Sequence, residues 1–332
     1  MATYRTKILG TGRYFPPRVL TNEEISQRVD TNHQWIVERT GIHERRIAEA
    51  GVDIPSEMAM KAGKIALAEA GLQPNDIDFI LFTTTMGDVP MPNTASYLQV
   101  KLGITNGCAC IDLNAACTGW TYGFVMADAL IKTGAYKNIM VVGSDMTSTF
   151  NNWDDRGVCI LFGDGCGVTI LGRAAEGDKS EVLAQILGGD GTKAEHLTLQ
   201  VGCSLKPYNE TNLKDGSANI SMDGKEVFKA AVKTMASHCE KVLRDAGLTL
   251  DQVDWFVPHQ ANLRIIEAVG TRLNFPPEKT VINVDRYANT SSATVPTALD
   301  EAIRDGRIKR GQTILVAAFG AGLTSGAAVF KY

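Results

Sequence analysis

Cys117, His259 and Asn289 are the residues of this 332-residue chain whose types and settings offer a reaction. Cys117 lies in Asp112-Leu113-Asn114-Ala115-Ala116-Cys117-Thr118-Gly119-Trp120. A short apolar run precedes it, and a longer one follows in which Phe124, Met126, Ala127, Leu130 and Ile131 recur at helical spacing. A cysteine in the first turn of a helix faces unpaired backbone N–H groups and the positive end of the dipole, a setting that favours the nucleophilic thiolate. Its small neighbours leave room for a carbonyl. His259 follows the apolar stretch Trp255-Phe256-Val257 in Pro258-His259-Gln260-Ala261-Asn262, and is expected at a strand end, exposed to a cleft. Asn289 stands in Tyr287-Ala288-Asn289-Thr290-Ser291. His33, His43, His196 and His238 end no core strand in such a loop and are read as structural.

Cysteine, histidine and asparagine admit two chemistries. In a papain-like hydrolase the histidine activates the cysteine and the asparagine orients the histidine. The flanking residues of papain-type cysteines are absent here. In acyl transfer followed by Claisen condensation, Cys117 takes an acyl group from a thioester. His259 Nε2–H and the Asn289 amide then donate to the carbonyl oxygen of a second thioester. When that substrate loses CO2, its enolate is held by two donors, each contributing about 3 kcal/mol by comparison with other oxyanion holes.

The elements that must position these residues form a repeat. Ala70-Gly71-Leu72 followed by Asp76-Ile77-Asp78-Phe79-Ile80-Leu81 matches Ala246-Gly247-Leu248 followed by Gln252-Val253-Asp254-Trp255-Phe256-Val257 without a gap. Cys117 lies 17 residues before Gly134, which precedes the strand Ile139–Gly143; Asn289 lies 17 residues before Gly306, which precedes the strand Thr313–Ala318. The spacing predicts two similar βα units, with Cys117 and Asn289 opening equivalent helices near a pseudo-twofold axis, and ligands bound at the carboxyl ends of the strands. Further strands are expected at Thr6–Gly12, Phe79–Thr84, Ala109–Leu113 (buried), Val158–Phe162 and Gly167–Leu171, and a helix from Ser56 to Ala70. Thr21-Asn22-Glu23-Glu24 reads as a capped helix start. The stretch from His196 to Asn219 has no clear periodicity.

Composition bounds the partners. With 44% hydrophobic and 21% charged residues the chain can bury a large core, and a net charge of −4 argues against nucleic acid. No apolar run approaches the ~20 residues of a membrane helix. Seven cysteines without disulfide spacing, and no signal-peptide pattern, lead us to expect a reducing cytoplasm. No Cys-x-x-Cys or His-x-x-x-His occurs, so no metal is expected.

Taken together, Trp35-Ile36-Val37-Glu38-Arg39-Thr40-Gly41, Ala115-Ala116-Cys117-Thr118-Gly119, Asp155-Arg156-Gly157, Phe162-Gly163-Asp164-Gly165, Glu226-Val227-Phe228-Lys229, Pro258-His259-Gln260-Ala261-Asn262 and Asn289-Thr290-Ser291 give the chain, over nearly its whole length, a resemblance to the β-ketoacyl-acyl carrier protein synthase III family. The resemblance implies a thiolase fold, five-layered α-β-α-β-α from two similar duplicated halves, 1–175 with the cysteine and 176–332 with the histidine and asparagine. It implies a homodimer that joins acyl-CoA to malonyl-acyl carrier protein, starting type II fatty-acid synthesis, with no metal or redox cofactor. It also implies that Trp35 and Arg156 sandwich the adenine of CoA, that Thr31 and Arg39 contact its nucleotide end, and that Gly224, Phe228, Ala261 and Asn262 wall the pantetheine tunnel. The backbone N–H groups of Cys117 and Ala321 would form the oxyanion hole of the acyl-cysteine. Lys229 and Arg264 match positions that dock the carrier protein, and Arg272 is a further cation expected near the tunnel mouth. A condensing enzyme of secondary metabolism shares these motifs, and a cysteine thioester hydrolase is the alternative that forms no carbon–carbon bond.

The chain departs from the family in three places. Gly320-Ala321-Gly322 stands for a run of three glycines, Lys225 for a frequent asparagine, and Met91 for a phenylalanine that crosses the dimer interface to close the partner's acyl pocket. A slimmer, adaptable methionine leads us to expect primers longer or more branched than acetyl.

Overall fold

The computed structural model of the protein describes residues 4–332. The strands of its two main sheets are β1 (Thr6–Tyr14), β2 (Phe79–Thr83), β3 (Ala109–Leu113), β4 (Asn138–Met146), β5 (Asp164–Arg173), β6 (Glu181–Gly188), β7 (Trp255–Pro258), β8 (Thr313–Phe319) and β9 (Ser325–Lys331). The helices that matter here are α1 (His33–Thr40), α2 (Pro55–Ala70), α3 (Thr94–Leu102), α4 (Gly119–Lys132), α5 (Gly224–Asp245), α6 (Leu263–Leu273) and α7 (Thr294–Arg304). One sheet runs β1-β5-β4-β2-β3 and the other β7-β8-β9-β6. In the first, β2 pairs in parallel with β3 and β4, and β4 pairs antiparallel with β5. In the second, β7 pairs in parallel with β8, and β8 antiparallel with β9. The two sheets thus have one topology. The counterpart of β3 is reduced to a single parallel bridge, Phe256 with Thr280.

Alternation along the strands builds five layers. Ile314, Val316 and Ala318 of β8 face a central layer in which Trp120 and Phe124 of α4 meet Val295 and Leu299 of α7. Leu315, Ala317 and Phe319 face outward onto Met235 of α5 and Val269 of α6. In the first sheet, Leu81 and Val141 look inward, and Ile80, Phe82, Met140 and Val142 look outward onto α2 and α3. Strands buried on both faces read as continuous apolar runs, as these do. Gly143 of β4 lies so close to the turn leading into α7 that a Cβ there would stand 2.4 Å from the Ser292 carbonyl oxygen.

The repeat extends to backbone detail. Gly71 and Gly247 have φ of 65° and 66°, and Gly134 and Gly306 have 78° and 82°. Two one-turn 3-10 helices, Pro74–Asp76 and Leu250–Gln252, each carry a capping box. The capping box expected at Thr21 is present, with Thr21 accepting from the Glu24 N–H and Glu24 from the Thr21 N–H.

Two expectations are corrected. Val158–Phe162 is not a strand: Val158 and Cys159 both donate to the Asp155 carbonyl and Leu161 to that of Val158, so the apolar stretch winds into turns and buries its side chains in a small cluster of its own. The strand begins only at Asp164. And β3 is a sheet edge rather than a buried strand, with Ile111 39% exposed. The stretch 196–219 forms strand Leu197–Thr198, paired with Ser221–Met222, and the short helix Glu210–Lys214.

Candidate active site

Cys117, His259 and Asn289 line one cavity of about 1280 Å3 between the two sheets. Strand β3 delivers Cys117 through a tight turn. Asn114 Oδ1 accepts the Ala116 N–H, and Ala116 adopts φ 47° before a 3-10 turn leads into α4. Asn289 does not hold the place of Cys117 in the second half, as its spacing led us to expect: the turn that starts at Ala116 (φ 47°) recurs at Ser291 (φ 54°), so Ser292 matches Cys117, and Asn289 precedes the turn, after Ala288 at φ 56°. A left-handed alanine costs about 1–3 kcal/mol and persists only where its surroundings hold it. Here the C-terminal turn does so. The Thr118 and Thr324 hydroxyls meet at 2.7 Å, and that of Thr324 lies 3.1 Å from the Ala115 carbonyl oxygen. Gly320 presses on the same turn: its φ of −153° suits any residue, but a Cβ would lie 2.8 Å from Cys117 N. Left-handed φ falls on Gly322 and Leu323, so alanine sits at 321 without strain. Among the described residues, neither the Cys117 nor the Ala321 N–H donates to a protein acceptor.

Asn289 is fixed by its backbone and its own side chain. Its N–H donates to Leu161, its carbonyl accepts from Gly163, and Oδ1 accepts the Ser291 N–H at 2.9 Å. That last bond sets the amide orientation and leaves the Nδ2 hydrogens for the cavity. His259 directly follows β7, its N–H bonded to the Ala317 carbonyl. Gln260 braces the turn, donating to Pro258 and Val281 and accepting from Asn283 and Val284. His259 Nδ1 lies 2.6 Å from Thr294 Oγ1.

One sequence expectation about electrostatics, the thiolate, is overturned. His259 lines the cavity but is only 2% exposed, and burial pushes its imidazole down to about 3, so the ring is neutral. Burial pushes the Cys117 thiol up to about 12, against a smaller opposing pull from Ser291, so the resting group is a thiol and not a thiolate. The nearby Asp145 charge adds to the rise. Enclosure in a low-dielectric wall outweighs what the helix start offers a thiolate. Asp145 ends β4 fully buried; Oδ1 accepts from Thr84 Oγ1, Thr85 N and Thr85 Oγ1, and Oδ2 from Ser292 N and Oγ. It ties the loop after β2 to the start of α7.

The other expected residues divide. Trp35 and Arg39 stand at the cavity mouth, and Gly224, Phe228, Ala261, Asn262, Arg264 and Ala321 also line it. Asn262 additionally caps α6, Oδ1 accepting from Arg264 N and Ile265 N. Thr31, Met91, Arg156, Lys229 and Arg272 are not part of the lining. Arg156 instead donates to the Asp30 carbonyl and lies over Trp35, 5.0 Å from the ring centroid. A base between them needs about 7 Å, two van der Waals contacts, so the slot is closed. Met91 is 86% exposed, and Lys229 is paired with Glu226. Sequence reasoning missed Ser291, Thr294, Thr324 and Asp145. An aspartate near the end of the otherwise apolar β4, and a run of hydroxyl residues after Asn289, were the available signals.

Comparison with known proteins follows this geometry. Two family models match, 3-oxoacyl-[acyl-carrier-protein] synthase III over residues 111–191 and its C-terminal counterpart over residues 243–332. The β-ketoacyl-[acyl-carrier-protein] synthase III of Caldanaerobacter subterraneus is 44% identical over 325 residues, 98% of this chain and 97% of the relative. That of Clostridium acetobutylicum is 43% identical over 326 residues, 98% of each chain. Among solved structures, 3-oxoacyl-[acyl-carrier-protein] synthase III from Aquifex aeolicus superposes with a TM-score of 0.91 at 42% identity, covering 98% of this chain and 100% of that one.

Proposed function

The chain belongs to the β-ketoacyl-acyl carrier protein synthase III family, and from its site we propose that it condenses an acyl-CoA primer with malonyl-acyl carrier protein, giving β-ketoacyl-carrier protein, CO2 and CoA and starting type II fatty-acid synthesis. The observation that carries the reading is one cavity lined by Cys117, Ala321, His259 and Asn289, with the Cys117 and Ala321 N–H groups unpaired among the described residues and the Asn289 amide oriented by its own Oδ1 contact.

In the first half-reaction the Cys117 sulfur attacks the primer thioester, whose carbonyl oxygen takes up negative charge between the Cys117 and Ala321 N–H groups. The C–S bond to CoA breaks, and CoA leaves as a thiol with the proton that Cys117 gave up. In the second, the malonyl thioester oxygen lies between His259 and Asn289 Nδ2. The C–C bond to the carboxylate breaks, and its electron pair passes into an enolate held by those two donors. The enolate carbon attacks the acyl-cysteine carbonyl, the C–S bond to Cys117 breaks, and the sulfur takes a proton from solvent. The thioesters supply all the activation, so the scheme uses no metal or redox cofactor.

Apolar lining from Met86, Val89, Pro90, Leu197, Leu199 and Val201 in the same cavity as the thiol supports primers longer or more branched than acetyl. Trp35, Arg39 and Arg156, with Thr31 beside them, are proposed to take the nucleotide end of CoA after Arg156 swings off the indole. Gly224, Phe228, Ala261 and Asn262 are assigned to the pantetheine arm, and Arg264, Lys229 and Arg272 to an acidic carrier protein. A homodimer is proposed along the β3 edge, supported by the exposed Ile111 and Val100, with Met91 reaching the partner's acyl pocket. Seven free thiols support a cytoplasmic setting.

The test is intact-protein mass spectrometry after incubation with a panel of acyl-CoAs, then with malonyl-carrier protein. A mass gain on Cys117 that vanishes as β-ketoacyl-carrier protein forms is the expected result. Decay to free acid without carbon–carbon bond formation would sink the reading.

A further inference from the structure

The mechanism above requires a proton on His259 Nε2, and a neutral imidazole has only one to place. The ring is buried and neutral, so whatever faces Nδ1 decides which nitrogen faces the cavity as a donor. That partner is the hydroxyl of Thr294, five residues beyond Asn289, on the first turn of α7.

A hydroxyl has one hydrogen, and Thr294 Oγ1 has two neighbours for it: His259 Nδ1 at 2.6 Å and the Ser291 carbonyl oxygen at 3.0 Å. If the hydrogen goes to Ser291, Nδ1 must be the protonated nitrogen, and a bare Nε2 would turn its lone pair on the enolate oxygen. If it goes to the imidazole, Nε2 carries the proton. The Ser291 carbonyl already accepts the backbone N–H of Thr294, so it stays satisfied when the hydroxyl turns away. The imidazole contact is also the shorter of the two.

We propose that Thr294 is a positioning residue whose hydroxyl donates to His259 Nδ1, holding the imidazole in the tautomer that presents Nε2–H to the malonyl thioester oxygen. The elements that hold Asn289 and His259 are thereby one unit. Ser291 N–H orients the Asn289 amide, and the Ser291 carbonyl anchors the backbone of the residue that orients His259. The two oxyanion donors are set by the same turn at the start of α7. The inference rests on the condensing reading for its purpose, but the tautomer itself does not depend on it.

The experiment has two arms. In substrate-free enzyme carrying 15N-labelled histidine, the ring-nitrogen shifts of His259, assigned by their loss in His259→Gln, are expected to show a bare Nδ1 and a protonated Nε2. A protonated Nδ1 overturns the proposal whatever the enzyme's reaction proves to be. In the second arm, Thr294→Val is expected to slow malonyl-carrier protein decarboxylation about tenfold, the worth of one hydrogen bond, while acylation of Cys117 stays within twofold, and Thr294→Ser restores decarboxylation. Equal loss in both half-reactions, or none in either, refutes the positioning role; a decarboxylation that the wild type itself lacks refutes the condensing reading and leaves the tautomer to the first arm.

Discussion

Gly320→Ala probes the contact between the two halves at the nucleophile. The backbone at 320 is extended, φ −153°, so alanine brings no conformational strain of its own. The whole effect comes from one methyl placed 2.8 Å from Cys117 N and 3.2 Å from Cys117 Cβ. Ordinary contact for a carbon is about 3.5 Å, so the two turns must separate by about 0.7 Å. A donor set about 2.9 Å from an oxyanion then stands near 3.6 Å, beyond useful hydrogen bonding. Losing one such donor costs about 10²–10³ in rate. Overpacking at a tight site costs a further 1–3 kcal/mol of stability, roughly. The expected phenotype is a folded enzyme, lowered in Tm, whose Cys117 acylation by acyl-CoA in rapid-quench mass spectrometry falls by about two orders of magnitude. Malonyl decarboxylation, which the proposed scheme assigns to His259 and Asn289, falls far less. Acylation within threefold of wild type in a folded variant would refute the oxyanion assignment. An equal fall in both half-reactions would show that the contact serves packing alone.

Four further outcomes follow from the same geometry. Because burial pushes the Cys117 thiol up to about 12, its alkylation by iodoacetamide, read on the Cys117 peptide, rises about tenfold per pH unit between pH 6 and 10; a plateau below pH 8 contradicts this. His259 has a folded-state value lowered to about 3, so the unfolded chain binds the extra proton first. Its contribution to stability is present above about pH 6.5 and is lost as pH falls toward 3, by at most about 1.4 kcal/mol per pH unit; urea titrations of His259→Gln show a shallower acid limb, and an unchanged limb contradicts the burial argument. Arg156→Ala removes one of the two guanidiniums over Trp35, leaving Arg39 at 4.0 Å, and raises KM for acyl-CoA severalfold while leaving turnover of acyl-pantetheine thioesters unchanged; equal effects on both substrates argue against a nucleotide contact. If the wild type sediments as the proposed dimer, Ile111→Lys, at the exposed centre of β3, gives a monomer in sedimentation velocity; an unchanged dimer moves the interface elsewhere.

Much of the fold was legible because spacing records backbone geometry. The left-handed caps Gly134 and Gly306 lie where spacing put them, but equal 17-residue intervals misaligned the helix starts: α4 opens two residues after Cys117 and α7 five after Asn289, because α7 has 11 residues and α4 has 14. The error at Val158–Phe162 has the opposite cause. A five-residue apolar run looks alike whether it pairs in a sheet or folds its side chains inward through turns, and only the Asp155 carbonyl accepting two successive N–H groups distinguishes them. The edge position of β3 was likewise hidden, because an apolar strand reads the same at the centre of a sheet and at a border awaiting a partner.

The sequence by itself determined which residues meet: a cysteine and an asparagine ahead of two related helices, with a histidine at a strand end, and Gly320 and Gly322 framing the turn beside them. Residue type and interval are local properties, and the chain states them outright. Only the tertiary structure decided what charge those groups carry and which atoms they present. The thiol is protonated and the imidazole neutral because both are walled off from water by residues from distant segments. The Asn289 amide is oriented by the Ser291 N–H, and the imidazole faces the Thr294 hydroxyl. Solvation and hydrogen-bond direction are set by what packs around a group from every side, and no run of neighbouring letters records that.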